Sequence, residues 1–233
     1  MIGLGTLANA AAIIVGSLLG LLIKNGISDR YEKMVFTSVG VAVMFIGIVG
    51  VVQNAGNSMM LVLSLIIGGL IGEALRLEEW MEGLGEKLKK RVIKEGDTES
   101  APKFVEGFVS ASILFVVGAM AIIGSINDGM NHDPSILYTK SILDGITSVI
   151  LASSMGIGVA FSALPILIYQ GLITILASLV APLFTETLLA NISYVGNAVI
   201  FCIGLNFLFP KKIKTANLFP ALFMPILLRF FIK

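Results

Sequence analysis

The sequence predicts an all-α fold, a polytopic bundle of about eight transmembrane helices, and three observations carry that reading. The 233-residue chain is 56% hydrophobic and only 13% charged, with a mean hydropathy of +0.96, whereas soluble domains carry about 25% charged residues. Its apolar residues fall into recurring windows of about the length needed to cross a hydrocarbon core of ~30 Å. The windows are continuous and rich in Gly and Ala, not alternating, which argues against a transmembrane β-barrel.

Taken in order, the windows cover residues 2–23, 34–53, 58–76, 104–126, 136–158, 163–182, 194–209 and 215–232. The first follows Met1 directly, with no basic n-region and no cleavage site, and is read as a retained span. The seventh is short. All of it is read as a single transmembrane domain, 1–233.

Orientation follows from the basic residues of short loops, which concentrate on the cytoplasmic side. Lys24, Arg30 and Lys33 follow the first window; Arg76, Lys87, Lys89, Lys90, Arg91, Lys94 and Lys103 follow the third; Lys211, Lys212 and Lys214 follow the seventh. The stretches Gln53 to Asn57, Asn127 to Pro134 and Phe184 to Ser193 contain no Lys or Arg. Eight spans in a cell membrane, both termini outside, satisfy every loop. Arg229 and Lys233 are discordant and are read as snorkelling to the outer interface.

Residues 77–103 form the only sizeable soluble segment. Leu77, Trp80, Met81, Leu84, Leu88 and Val92 recur at helical spacing opposite the charges, which predicts an amphipathic helix on the inner leaflet, followed by a linker at "EGDTESAP". A solvated connector is the bland alternative. Self-similarity between "VGVAVMF-IG" (Val39 to Gly47) and "VGNAVIFCIG" (Val195 to Gly204) predicts inverted three-span repeats, 1–76 and 163–233, flanking a central helix pair.

A net charge of +1 argues against a nucleic-acid partner. The single cysteine, Cys202, lies in an apolar run, and His132, the one histidine, has no second ligand at metal spacing, so neither a metal nor another cofactor is expected. No nucleophile and base stand at catalytic spacing, a Ser/Lys arrangement aside, and the chain is read as a non-enzyme.

The informative residues are the polar ones inside the apolar windows, since an ionisable group at the bilayer centre costs ~2.5 to 3.5 kcal/mol on insertion scales. In "KSILDGITSVILASSMGIG", Lys140 and Asp144 stand at i and i+4 on one helical face, with Ser141 and Ser148 alongside. If the span starts near Ser135, Asp144 lies about 13 Å along it, close to the midplane. Lys140 can extend outward, but Asp144 must pair, accept hydrogen bonds or take up a proton; a plain internal salt bridge is the bland alternative. In "GSINDG", two glycines bracket Ser125, Asn127 and Asp128, which reads as a helix terminus or unwound turn, or simply as an exposed loop. Asn9, Gln170, Asn197 and Asn206 are further polar groups able to converge on the same region, whereas Glu73 is expected to pair with Arg76.

These motifs, with "GTLANAAAIIVGSLLGLLI" and "GGLIGEALRLE", resemble the YqgA/YdfK-like family of bacterial and archaeal membrane proteins, and the resemblance covers essentially the whole chain. It implies membrane transport as a provisional activity, without a substrate, and a shared core containing Ser125, Asn127, Asp128, Lys140, Ser141, Asp144 and Gln170. The reading from the residues is a secondary transporter of a small solute or ion, binding at Asp144, Lys140, Asp128, Asn127, Ser125, Ser141, Gln170 and Asn9. The alternatives are an ion channel, or a sensor or scaffold acting through the amphipathic helix. The lipid bilayer is the one certain partner, and a homodimer is the default assembly.

Overall fold

A computed structural model describes residues 2–24, 29–92, 100–209 and 213–231, and among them every regular element is helical. In chain order these are α1 (Leu4–Lys24), α2 (Asp29–Gln53), α3 (Ser58–Ala74), α4 (Leu77–Val92), α5 (Ser100–Val116), α6 (Ala119–Asn131), α7 (Ser135–Met155), α8 (Gly158–Phe161), α9 (Ala163–Ile175), α10 (Ala177–Val180), α11 (Glu186–Leu208) and α12 (Met224–Leu228). Short 3-10 segments occupy Ala181–Leu183 and Ala216–Phe223. Lys94, Lys211, Lys212, Lys233 and most of the "EGDTESAP" linker lie outside the described residues.

The all-helical expectation holds, but the apolar windows are not eight straight helices. Four stretches are long and apolar enough to cross a membrane unaided: Leu4–Ile23, Ser135–Met155, Gly158–Ile175 and Glu186–Leu208. The third window, α3, forms a bent pair with α4 of the soluble segment that follows it, the fourth is the bent pair of α5 with α6, and the second and eighth are shorter apolar helices. The break in the fourth window has a local cause. Gly118 adopts φ +118°, a conformation that side-chain-bearing residues rarely reach, and α5 and α6 meet there at 63°. In the eighth window Pro220 and Pro225 remove backbone donors, and the chain winds as a 3-10 segment before a short helix.

The chain forms two compact units. The first takes in α1, residues 82–116 and Met120–Leu183, and its centre is a parallel pair, α1 against α7. A Cβ on Gly16 would lie 2.2 Å from the Gly145 carbonyl oxygen, and one on Gly20 would lie 2.3 Å from that of Val149. Only glycine permits backbones so close, and close approach is how helices associate where no hydrophobic driving force acts between them. Around this pair, α5 packs through Phe104 and Phe108, both buried, with Phe104 tilted against Phe161 at a centroid distance of 5.4 Å.

The second unit takes in residues 37–81, Val117–Ala119 and the chain from Phe184 onward. Here α2 and α11 cross antiparallel: Gly47 faces Phe201 and Asn197, while Gly204 faces Met44 and Gly40. On α3, Gly68 faces Ala221 and Gly72 faces Asn217, again antiparallel.

Polarity is inverted relative to a soluble protein, most clearly in the first unit. Leu18, Leu19, Leu22, Ile142, Leu143, Ile146, Ile168 and Leu172 are exposed, while Asn9, Ser17, Lys140, Asp144, Ser148 and Gln170 are buried. Water would not tolerate such an arrangement, whereas lipid favours it, because an apolar exterior costs nothing there and polar groups must find partners inside.

Candidate functional site

The site lies in the first unit. On α7, the periodicity that keeps Ile142, Leu143 and Ile146 outside turns Leu137, Lys140, Ser141, Asp144, Ser148 and Leu151 inward. Asp144 lies nine residues beyond Ser135, ~13 Å along the helix at 1.5 Å per residue. Lys140 does not extend outward as expected. It turns along α7, donates from Nζ to Asp144 Oδ2 at 2.5 Å and keeps 6% exposure against 7% for Asp144. An ammonium facing a carboxylate one helical turn deeper gains more from that contact than from reaching for the interface while its partner stays charged in lipid.

The α1–α7 contact supplies the next partner. Because Gly16 and Gly145 let the helices touch, Asn9 reaches across α1 and donates through Nδ2 to the same Asp144 Oδ2 at 3.0 Å, and at 3.4 Å to Gln170 Oε1 on α9. Asn9 and Gln170 have no exposed surface. The structure therefore brings four of the sequence-predicted residues, Asn9, Lys140, Asp144 and Gln170, into one network across three helices.

A second polar cluster adjoins the first. Asp128, fully buried on α6, accepts the Gly5 amide at Oδ2, 3.1 Å away, at the N-terminus of α1. That end of a helix carries partial positive charge and unsatisfied N–H groups, which favour a carboxylate. Gly5 precedes Asn9 by one turn on the same face, so the two clusters share α1. Beside Asp128, Gly129 meets the Thr174 carbonyl of α9, where a Cβ would stand 2.2 Å from the oxygen.

The other sequence-predicted residues fare differently. Ser125 is fully buried one turn before Asp128. Ser141 is buried but spends its hydroxyl on the Leu137 carbonyl at 2.7 Å. Asn127 points away from the cluster into the α6–α7 turn, donating to Asp133 Oδ2 at 3.0 Å and accepting from Asn131 at 2.6 Å. The unwound turn anticipated at "GSINDG" is absent, because α6 stays helical through it and ends at Asn131; the break sits at Gly118 instead. In that turn Asp133 accepts from the Ser135 amide and hydroxyl, which hold its carboxyl below the usual carboxylate range.

Of the nine buried side-chain polar atoms without a protein partner among the described residues, eight belong to the first unit: Thr6 Oγ1, Asn9 Oδ1, Ser17 Oγ, Ser125 Oγ, Asp128 Oδ1, Ser148 Oγ, Gln170 Nε2 and Thr174 Oγ1. Folded proteins leave few such groups, so this concentration marks the interior of the first unit as hydrophilic. Sequence reasoning missed Thr6, Ser17 and Thr174, since a lone hydroxyl in an apolar helix ordinarily bonds its own backbone, as Ser141 does.

In the second unit the expected Glu73–Arg76 pair is not formed. Glu73 binds Lys214 Nζ and Asn217 Nδ2, each at 2.7 Å, while Arg76 pairs with Glu79 at 3.8 Å. Arg76 takes φ +52° at the α3–α4 break, which turns it off the helical course that i+3 pairing requires. The hydrogen bond to Glu73 raises the Lys214 ammonium above its usual range. Asn197 and Asn206 also belong to this unit, donating to the carbonyls of Ser193 and Ile213, each at 2.7 Å.

Residues 4–230 match the family model described as "Protein of unknown function (DUF554)". The chain belongs to the DUF554 family. It is 34% identical over 224 residues to the "Uncharacterized membrane protein YdfK" of Bacillus subtilis (strain 168), covering 95% of this chain and 93% of that one. It is 33% identical over 221 residues to the "Uncharacterized protein YqgA" of Escherichia coli (strain K12), covering 95% and 94%. No solved structure matches it. The family resemblance read from "GSINDG" and "KSILDG" is thereby established, and these two motifs supply the carboxylates of the two clusters. What this DUF554 interior can do chemically follows from its charges: the Lys140–Asp144 pair is neutral as it stands, and is opened by a proton on Asp144 or by a ligand that competes for either charge.

Proposed function

We propose that this DUF554 protein is a secondary transporter of a small solute or ion, with its site on α1, α7 and α9. The observation that carries the reading is the buried network of Lys140, Asp144, Asn9 and Gln170 inside an apolar exterior. Intramembrane ion pairs are costly and mark substrate or ion pathways. A neutral pair suits a carrier: the empty site crosses without net charge, and a ligand that competes for one partner opens it.

The helix directions fit three crossings between α1 and α7, the number that the reading of eight spans with both termini outside the cell membrane requires. Gly5 meets Leu137 and Gly20 meets Val149, so α1 and α7 run parallel. In a chain that alternates direction, parallel spans are separated by an odd number of crossings; α2, the α3–α4 pair and the α5–α6 pair supply three. Omitting α2 would make α1 and α7 antiparallel. The inverted-repeat reading gains support from the α2–α11 crossing, where the contacts of Gly47 with Phe201 and Asn197 become those of Gly204 with Met44 and Gly40 under one constant offset, Gly47 to Gly204, Met44 to Phe201 and Gly40 to Asn197. Such reciprocity is what a local two-fold axis between inverted segments produces.

The test is transport in proteoliposomes of the purified full chain, read as solid-supported-membrane currents against a panel of carboxylates, amino acids and inorganic ions. Saturable currents lost in Asp144→Asn and Lys140→Gln support the carrier. Undiminished coupled uptake in Asp144→Asn removes the pair from the mechanism, and unitary currents in planar bilayers replace the carrier with a channel.

A further inference from the structure

We infer that the buried polar cluster around Asp128, on α1, α6 and α9, binds one monovalent metal cation, for which sodium is the natural probe. Asp128 is fully buried; one carboxylate oxygen accepts the Gly5 amide, and the other, Oδ1, has no protein partner. Around it stand Ser125 one turn back on α6, Thr6 beside Gly5 on α1, and Thr174 on α9 against Gly129. The hydroxyls of all three are buried without a partner, and all three residues are at most 3% exposed. Asn9 Oδ1, one turn along α1, is a fifth unpartnered oxygen.

This donor set is made of hard oxygens, a carboxylate with hydroxyls and an amide carbonyl, and contains no imidazole or thiolate, which suits alkali or alkaline-earth cations and not transition metals. It holds one carboxylate, since Asp144 is already neutralised by Lys140. A single uncompensated negative charge calls for a single positive charge.

Two helix ends argue for a metal ion. The N-terminus of α1 donates to one carboxylate oxygen and leaves the other free to ligate. On the other side α9 ends at Ile175, one residue beyond Thr174, whose carbonyl lies against Gly129, so the partially negative C-terminus of α9 stands beside α6 next to Asp128 and favours a cation. Discontinuous helices whose ends hold coupling ions in this way are a recurring device of secondary transporters.

That the bound cation drives transport rests on the proposed function; that it binds does not, so the deciding experiment reads binding. The purified full chain in non-ionic detergent micelles is titrated with ²²Na⁺. The expected result is saturable binding of about one ion per chain, weakened at least about tenfold in Asp128→Asn and several-fold in Ser125→Ala and Thr174→Val, with Thr147→Ala, on α7 where the hydroxyl bonds the Leu143 carbonyl, unchanged. Folding of each variant is checked by monodisperse elution and unfolding midpoint; should Asp128→Asn fail to fold, the two hydroxyl variants decide. Absence of saturable binding in the wild type, or wild-type affinity in folded Asp128→Asn or in both hydroxyl variants, overturns the site. Uptake without sodium binding would sink the site and leave the carrier standing, whereas sodium binding without uptake of any panel solute would do the reverse.

Discussion

Removing one member of the Lys140–Asp144 pair should destabilise the fold strongly, while removing both should not. With Asp144→Leu the Lys140 ammonium, 6% exposed, keeps no counter-charge; with Lys140→Met the Asp144 carboxylate keeps only the Asn9 amide. Breaking a buried pair from one side costs about 3–5 kcal/mol, whereas replacing both partners by apolar residues is neutral or stabilising. The double variant also takes the Asp144 acceptor from Asn9, which retains Gln170 at 3.4 Å, so it should fall within about 2 kcal/mol of wild type. The cycle should therefore be non-additive by several kcal/mol. Equilibrium unfolding of reconstituted protein in mixed micelles, with the four proteins compared in parallel, measures it. Single variants that each lose less than ~1 kcal/mol and add in the double would refute a dry, directly bonded pair. Transport by the double variant would show that the pair only locks the bundle.

Three further outcomes follow from the packing and the loops. Gly16→Ala puts a Cβ 2.2 Å from the Gly145 carbonyl oxygen and should lower stability by about 1–3 kcal/mol in the same assay, together with transport, because α1 carries Asn9. In the second unit Asn217→Ala removes the acceptor of the Glu78 amide at the start of α4, 2.7 Å away, and should cost about 1–2 kcal/mol, with faster amide exchange at Glu78. Asp133 has a depressed folded-state pKa, so its contribution is present above its unfolded value of ~3.9 and disappears as pH falls through the lower folded value. Amide exchange at Ser135 should accelerate in that acid window in the wild type and already be fast at neutral pH in Asp133→Ala.

How much of this was legible depended on the range of each interaction. Lys140 and Asp144 could be paired on sight because four residues of one helix separate them, and the helix alone fixes that geometry. Asn9 and Gln170 were recognisable as polar groups in apolar windows, but their partners stand 135 and 161 residues from Asn9. Glu73 shows the converse error: Arg76 was the local candidate, yet the backbone turns at Arg76 and the true partner, Lys214, lies 141 residues away. Likewise the glycines of "GSINDG" suggested a break that α6 does not make, while Gly118, in an unremarkable apolar run, makes one. Whether a glycine bends a helix or admits a neighbour depends on what packs against it, and Gly129 admits Thr174.

By itself the sequence determined the solvent of this protein and hence its secondary structure. A chain this apolar partitions into lipid, and lipid forces continuous backbone hydrogen bonding, which these Gly- and Ala-rich windows satisfy as helices. It also determined that Asp144 would need compensation inside, while leaving Asp128 open between a helix end and an exposed loop. Only the tertiary structure decided how each is compensated, Asp144 by Lys140 and Asn9, and Asp128 by the Gly5 amide of α1 with one oxygen to spare. The reason is physical: composition sets the cost of burying a charge, but the offsetting partners are supplied by whichever helices come close enough, and here that closeness is set by glycines facing backbone across the α1–α7 contact.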